Sequence, residues 1–265
     1  MHPFFDVTKP IVIGHRGAAG ECPENTLLSF ETALAQGAQI LESDIHVSRD
    51  GVPILLHDPT LERTTDGQGD ASRFDWEELR LLDAAEHHRD ERGETPLRGT
   101  GIRIASLQDA FEAFPAARFN LEIKSRDPRA IGATLELLRR FERDDRTLLA
   151  AGENDIMQEL RLALRAHVVR PALGACLGEI VQAIQAAISN APMPVDVMAL
   201  QVPPTALGKP LVTRAFIDHA HRHDVQVHVW TINDLEEIET LVDLGVDGVV
   251  TDYPGRMHDW IERRD

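Results

Sequence analysis

Two histidines and two acidic residues lie close together near the start of the chain. His15 follows a short apolar run, His57 ends another, and Glu42 and Asp44 stand between them. An imidazole titrates near neutral pH and can give or take a proton during a reaction. Carboxylates beside such a pair can hold a hard cation. These residues therefore suggest acid–base chemistry beside a metal ion, provided that the fold brings them to one site.

A β-hairpin is the element that would place the two acidic residues and the second histidine on one face. The β-prone runs 40–47 and 52–57 flank an Asp-Gly pair, which is a strong hairpin signal. A two-residue turn made by that pair would set Asp44 opposite His57 on the same face. Glu42 would share this face because side chains alternate along a strand. A shift of register by one residue would move His57 to the other side.

Strand-like apolar runs alternate with helical patterns through the chain. This alternation favours parallel βαβ units, and eight of them at this length fit an α/β fold of the (β/α)8 TIM barrel type. Residues 1–265 are predicted to form one domain, with 59–106 as a small insertion after the second barrel strand and 203–210 as a loop after the sixth. The predicted barrel strands are 11–14, 40–44, 118–124, 147–151, 171–176, 195–201, 225–231 and 248–252. The predicted helices include 26–36, 107–114, 129–141, 156–165, 179–189, 213–223 and 235–244.

Barrel topology predicts where the reactive groups meet. Catalytic groups of TIM barrels lie at the C-terminal ends of the strands and in the loops that follow. The candidate residues at predicted strand ends are His15, Arg16, Asp44, Glu122, Lys124, Trp230 and Asp252. Residues far apart in the sequence should therefore converge on one rim.

Three carboxylates on these strands, Glu42, Asp44 and Glu122, predict a metal site. A set of oxygen donors without cysteine suits Ca²⁺ or Mg²⁺ better than zinc. Each carboxylate lies near the C-terminal end of an otherwise apolar strand, where an unpaired charge would be costly. The prediction is one divalent cation, and the alternative is that these are isolated surface acids.

Arg16 and Lys124 are suited to binding phosphate. Arginine offers a bidentate fork and lysine a point charge, although salt bridges to the neighbouring carboxylates could be their structural role, and both roles can coexist. Together with a metal ion and two histidines, these cations would form a site suited to phosphoester cleavage. One imidazole would deprotonate the nucleophile, and the other would protonate the leaving alkoxide. Trp230 is either barrel packing or a wall of the substrate site.

Charge and composition restrict the partners. The chain has 44 acidic and 27 basic residues, and its net charge of −17 argues against binding to nucleic acid or anionic membranes.

Neither a signal peptide nor an apolar run of about 18 residues is present, so the sequence predicts a cytoplasmic protein without stable membrane insertion. Cys22 and Cys176 fit free thiols in a reducing compartment. A homo-oligomer is possible.

A series of short motifs runs along nearly the whole chain. They are H-R-G (15–17), P-E-N-T (23–26), E-x-D (42–44), H-D (57–58), L-E-R-T-T (61–65), E-I-K (122–124), W-T-I-N (230–233) and T-D-Y-P (251–254). Each motif alone is weak, but in this set and order the chain resembles the glycerophosphodiester phosphodiesterase family, and the ordered set is specific.

This resemblance implies a TIM barrel that hydrolyses a small-molecule glycerophosphodiester substrate to glycerol 3-phosphate and an alcohol. It also implies attack by the substrate's glycerol 2-hydroxyl, giving a cyclic phosphate that water then opens. The family's general acid and base map onto His15 and His57. Its metal ligands and phosphate-binding cations map onto Glu42, Asp44 and Glu122, and onto Arg16 and Lys124.

Two alternatives lie close to this function. A phospholipase D acting on lysophospholipids or sphingomyelin would need an apolar entrance for an acyl chain, and the sequence has no amphipathic membrane helix to support it. A catalytically silent ligand-binding relative is disfavoured because both histidines and all three carboxylates are present. Residues 150–155, A-A-G-E-N-D, replace a Ser-Phe pair common in the family, which leaves the substrate preference open.

Overall fold

The fold is an α/β barrel of the TIM type, as predicted from the alternating pattern. A computed structural model of the chain describes residues 2–193 and 196–264, so Val195, where the sixth barrel strand was predicted to begin, lies outside the described residues. The strands are β1 (Ile11–Gly14), β2 (Ile40–Val47), β3 (Pro53–Leu55), β4 (Arg118–Ile123), β5 (Thr147–Ala150), β6 (Ala172–Leu173), β7 (Ala199–Val202), β8 (Thr205–Ala206), β9 (Lys209–Pro210), β10 (Gln226–Val229) and β11 (Gly248–Thr251).

Eight of the described strands are parallel and surround the barrel axis. They pair in the order β6-β5-β4-β2-β1-β11-β10-β7, and a parallel bridge between Gly174 and Ala199 joins the two ends. β3 is antiparallel to β2 and lies outside this ring. The segment 203–210, predicted as a plain loop, instead contains the short antiparallel pair β8 and β9.

Helices connect the barrel strands and cover their outer faces. They are α1 (Leu27–Ala35), α2 (Trp76–Leu79), α3 (Leu107–Ala113), α4 (Pro128–Arg140), α5 (Asn154–Ala166), α6 (Leu177–Ser189), α7 (Arg214–Arg222), α8 (Leu235–Leu244) and α9 (Pro254–Glu262). Side-chain oxygens at the N-caps fix several starts: Thr26 accepts from the N–H of Ser29, and Asp234 from that of Glu237. None of the described helices is long and apolar enough to cross a membrane.

The barrel interior is apolar at one end and polar at the other. The 3-10 turn Pro3–Phe5 packs Phe4 and Phe5 with Ile11, Ile13 and Ile40 in one buried cluster. Further along β2, the residues that share the inward face with Ile40 are acidic rather than apolar. Strand alternation thus delivers polar side chains to the C-terminal end of the barrel, above a packed apolar floor.

The predicted hairpin is present, but its predicted register was wrong by one residue. The N–H of Ser48 bonds the carbonyl of Val52 at 3.0 Å, so the loop has three residues, 49–51, rather than two. Gly51, the last of them, has φ +89°, a left-handed conformation that glycine adopts without strain. The extra loop residue shifts every pair, and His46 lies opposite Ile54.

The shifted register does not remove His57 from the site. Asp44 now lies opposite Leu56, whose N–H bonds the Asp44 carbonyl at 3.1 Å. Strand β3 ends at Leu55, and the chain bends at His57, so alternation no longer dictates the direction of this side chain. His57 therefore reaches the same cavity as Asp44 by a bend rather than by strand pairing.

Residues 59–106 carry little regular structure and a small apolar cluster of their own. Leu61, Leu79 and Ile104 are buried in it together with Ile54 of β3. The N–H of Trp76 also bonds the Asp50 carboxylate at 2.9 Å, which fastens this segment to the hairpin loop. The segment thus covers the hairpin that leads to His57.

Candidate active site

A cavity of about 420 Å³ opens at the C-terminal ends of the barrel strands. All eight residues predicted for the site line this cavity. They are His15, Arg16, Glu42, Asp44, His57, Glu122, Lys124 and Trp230. The structure therefore brings together side chains that the sequence spreads over more than two hundred positions.

His15 forms a pair with Asp252, which follows the last barrel strand. The Nδ1 atom of His15 lies 2.6 Å from Oδ1 of Asp252. Asn233 holds this carboxylate in place: its Nδ2 donates to Oδ2 of Asp252 at 2.6 Å, and its Oδ1 accepts from the Asp252 N–H at 2.9 Å. With Nδ1 bound to the carboxylate, Nε2 of His15 is the ring nitrogen left for a ligand.

His57 forms a second pair, with the neighbouring Asp58. Its Nδ1 lies 2.7 Å from Oδ1 of Asp58, and the other Asp58 oxygen accepts from Nε of Arg63. The guanidinium of Arg63 donates twice to Glu24, at 2.7 and 2.8 Å, and Glu24 also accepts from Arg16 at 2.8 Å. An alternating chain of charges therefore links the second histidine to Arg16.

The two histidine pairs differ in the group behind the carboxylate. Burial by itself would lower the pKa of His15, but the hydrogen bond to Asp252 and the charge of Glu42 outweigh it and raise this pKa above its ordinary value. Asp252 accepts from the neutral amide of Asn233 and also lies in the field of the Arg16 charge, whereas Asp58 pairs directly with the Arg63 guanidinium.

Asp44 is the most buried of the three carboxylates, at 2% exposure. It lies beside Glu122 in the register of β2 and β4, and Nζ of Lys124 lies between them, 3.4 Å from Asp44 and 3.1 Å from Glu122. Nε of Arg16 is 3.3 Å from the other Asp44 oxygen, to which Asn25 donates at 3.1 Å. Protein cations and one amide thus surround this carboxylate.

The negative charge of Glu42 is less well compensated than that of Asp44. It accepts the N–H of Arg16 at 3.0 Å, but burial and the nearby Asp44 charge raise the pKa of Glu42 to about 7. Lys124 shows the reverse effect: burial would lower its pKa, but the charges of Asp44 and Glu122 raise it. The site is therefore short of positive charge on the Glu42 side.

Whether these residues fit a divalent cation depends on donor chemistry and on spacing. Over residues 2–193 and 196–264, no group of three or more His, Cys, Asp and Glu side chains is arranged so that it could hold a metal ion. Lys124 instead lies between two of the predicted ligands, Asp44 and Glu122. The donor set is nevertheless all oxygen, and the raised pKa of Glu42 marks a place where a cation would relieve repulsion. The donor chemistry therefore fits a hard divalent cation.

Several residues of the site received no role in the sequence analysis. Asp58 and Arg63 lie within two of the short motifs, and Asp252 had been noted only as a strand end. Asn120 could have been found from strand alternation, since it shares a face with Glu122 on β4. Gln201 also lines the cavity, but no local signal marked it.

Comparison with known proteins relates the chain to one family. A sequence profile of the glycerophosphoryl diester phosphodiesterase family matches residues 15–256. The probable glycerophosphodiester phosphodiesterase 2 of Mycobacterium tuberculosis is 29% identical, covering 94% of this chain and 89% of its own. Lysophospholipase D GDPD1 of Homo sapiens is 28% identical, covering 94% and 85%.

Solved structures show the same barrel. A phosphodiesterase of Oleispira antarctica, in complex with the product sn-glycerol-3-phosphate, matches with a TM-score of 0.78 and 27% identity over 96% of this chain and 97% of its own. A glycerophosphoryl diester phosphodiesterase domain of Mycobacterium tuberculosis matches in fold, with a TM-score of 0.83 and 21% identity over 96% and 100%.

The profile match extends from H-R-G at its first residue to T-D-Y-P near its last, so it includes every motif on which the resemblance rested. The barrel fold and the paired histidines are consistent with this match. The chain therefore belongs to the glycerophosphoryl diester phosphodiesterase family.

Proposed function

We propose that the protein hydrolyses glycerophosphodiesters to glycerol 3-phosphate and an alcohol. The observation that carries this proposal is the pair of carboxylate-bound imidazoles, His15 and His57, lining one cavity with Arg16 and Lys124. The related Oleispira phosphodiesterase binds glycerol 3-phosphate as its product, which supports the same small-molecule class here.

Arg16 and Lys124 are proposed to bind the phosphate. Both are mostly buried, at 15% and 23% side-chain exposure, and both lie within 3.4 Å of Asp44. A phosphate entering between them would replace part of that ion pairing by charge-assisted hydrogen bonds to its own oxygens. Because the cations are already in place, little reorganisation would be needed as negative charge develops.

The two histidines are proposed to move the protons. One takes a proton from the glycerol 2-hydroxyl as its oxygen forms a bond to phosphorus, and the other protonates the alcohol oxygen as its bond to phosphorus breaks. Water then opens the resulting cyclic phosphate to glycerol 3-phosphate. Asp252 and Asp58 would hold each ring with Nε2 available for these transfers.

A divalent cation is proposed as cofactor, since the family generally depends on one. Glu42, Asp44 and Glu122 would hold it, and Ca²⁺ or Mg²⁺ suits these oxygen donors. When bound, the ion would neutralise charge on the phosphate and glycerol oxygens.

A lysophospholipase D activity is the second candidate. Its specific support is an apolar wall of the same cavity, where Leu177 is 64% exposed and lies with Ile180 and Trp230. This wall could receive an acyl chain, and the human relative is named a lysophospholipase D.

We also propose a cytoplasmic protein with a single domain over residues 1–265, in which 59–106 form the insertion. Cys22 and Cys176 are both buried and free, which suits a reducing compartment.

Product analysis across a panel of diesters tests the main proposal. We expect glycerophosphocholine, glycerophosphoethanolamine and glycerophosphoglycerol to yield glycerol 3-phosphate, detected by mass spectrometry, with added Ca²⁺ or Mg²⁺. Faster cleavage of lysophosphatidylcholine than of glycerophosphocholine would favour the second candidate. Release of free phosphate, or no product from any diester, would contradict both.

Asp252→Asn is expected to lower the pKa of His15, because the hydrogen bond and negative charge of Asp252 raise it. The limb of the pH–rate profile that reports His15 should therefore move to lower pH, whether His15 acts as acid or base. Measuring kcat/KM from pH 5 to 9 checks this shift. Asp243→Asn, at a surface ion pair with Arg264, is the matched control and should leave the profile unchanged. Identical profiles for both variants would refute the coupling.

A further inference from the structure

Two uncharged amides line the cavity beside its ionic groups. Asn120 of β4 is only 3% exposed, and its Oδ1 has no hydrogen-bond partner among the described residues. Most buried side-chain oxygens in folded proteins are hydrogen-bonded, and leaving one unpaired is costly. Asn120 lines the catalytic cavity, so a bound ligand could supply the missing donor.

A second amide on the cavity wall is that of Gln201 on β7. Gly174, which follows β6, lies directly beside it. A Cβ on Gly174 would lie 2.6 Å from Oε1 of Gln201 and 3.1 Å from the Ala150 Cβ. A side chain at position 174 would collide with Gln201, so the glycine is needed for the position of this amide.

The chemistry of this side matches hydroxyl groups. An amide offers both a donor and an acceptor, as a hydroxyl does, so the two can bond reciprocally. A phosphate would instead favour the cations Arg16 and Lys124. The two amides are therefore suited to the uncharged part of a substrate.

We propose that Asn120 and Gln201 form a subsite that binds the free hydroxyl groups of the substrate's glycerol moiety. This inference rests on the proposed function, and it adds the residues that recognise glycerol. The subsite would distinguish glycerol 3-phosphate from alkyl phosphates that lack hydroxyl groups, while phosphate binding itself stays with the cations.

Calorimetric titration of the metal-loaded protein with two ligands tests the subsite. Wild type is expected to bind glycerol 3-phosphate more tightly than methyl phosphate. The near-isosteric variants Asn120→Leu and Gln201→Met should each weaken glycerol 3-phosphate binding by about 3- to 10-fold, as expected for one net hydrogen bond. Their affinity for methyl phosphate should stay the same, because it lacks the hydroxyl groups.

The control is Gln108→Met on α3, a glutamine that does not line the cavity and that donates to Glu112. It should leave both affinities unchanged. Thermal melting verifies that each variant is folded, and Gln201→Asn provides a milder change that keeps an amide. Equal losses for both ligands would assign the amides to phosphate or metal binding and overturn the inference, as would no loss at all. Failure of wild type to bind glycerol 3-phosphate would instead contradict the proposed function.

Discussion

Replacing either His15 or His57 with alanine is expected to lower kcat/KM for a glycerophosphodiester by about 10²- to 10⁴-fold, the contribution typical of a positioned general acid or base. Each imidazole is held through Nδ1 by its own carboxylate, so neither can take over the position of the other. Steady-state rates of glycerol 3-phosphate release measure the loss. Each variant should also lose one limb of the pH–rate profile.

The control for these variants is His87→Ala, an exposed histidine of segment 59–106 that does not line the cavity. Its activity should equal that of wild type. Circular dichroism and melting temperature should show that all three variants keep the barrel. Full turnover by His15→Ala or His57→Ala would contradict the proposed acid–base roles.

Removal of divalent cations is expected to abolish activity, and added Ca²⁺ or Mg²⁺ should restore it. The physical reason is the poorly compensated negative charge at Glu42, which repels a phosphodiester until a cation is present. Glu42→Gln keeps the size of the side chain but removes a charged ligand. We expect it to raise the metal concentration needed for half-maximal activity by more than about 10-fold, the lower end of the effect seen for groups that merely support metal ligands.

Metal titrations of wild type, Glu42→Gln and Glu112→Gln measure this effect. Glu112 lies on α3 away from the cavity, so its variant removes the same charge without touching the site. An unchanged metal requirement in Glu42→Gln would remove Glu42 from the ligand set. Activity that survives thorough chelation would contradict the proposed cofactor.

The alternating pattern and the strand ends determined much of the site. Strand β1 ends at Gly14, directly before His15, and β2 presents Glu42 and Asp44 to the cavity, as strand alternation predicted. These features depend on the alternation of side chains along each strand and on where each strand ends, since reactive groups of a barrel gather at the C-terminal strand ends. Alternation and strand ends can both be read from short segments, so the sequence alone could reveal them.

Partners between distant segments required the tertiary structure. The hairpin register depended on one extra loop residue, and His57 reaches the cavity through a bend that no sequence pattern predicted. Asp252 pairs with His15 across 237 positions because β1 and β11 become neighbours when the barrel forms. Asn120 and Gln201 line one cavity for a similar reason, since the barrel brings together strands that are far apart in the sequence. The sequence thus determined which side chains reach the rim, whereas barrel closure and loop geometry decided which of them lie together.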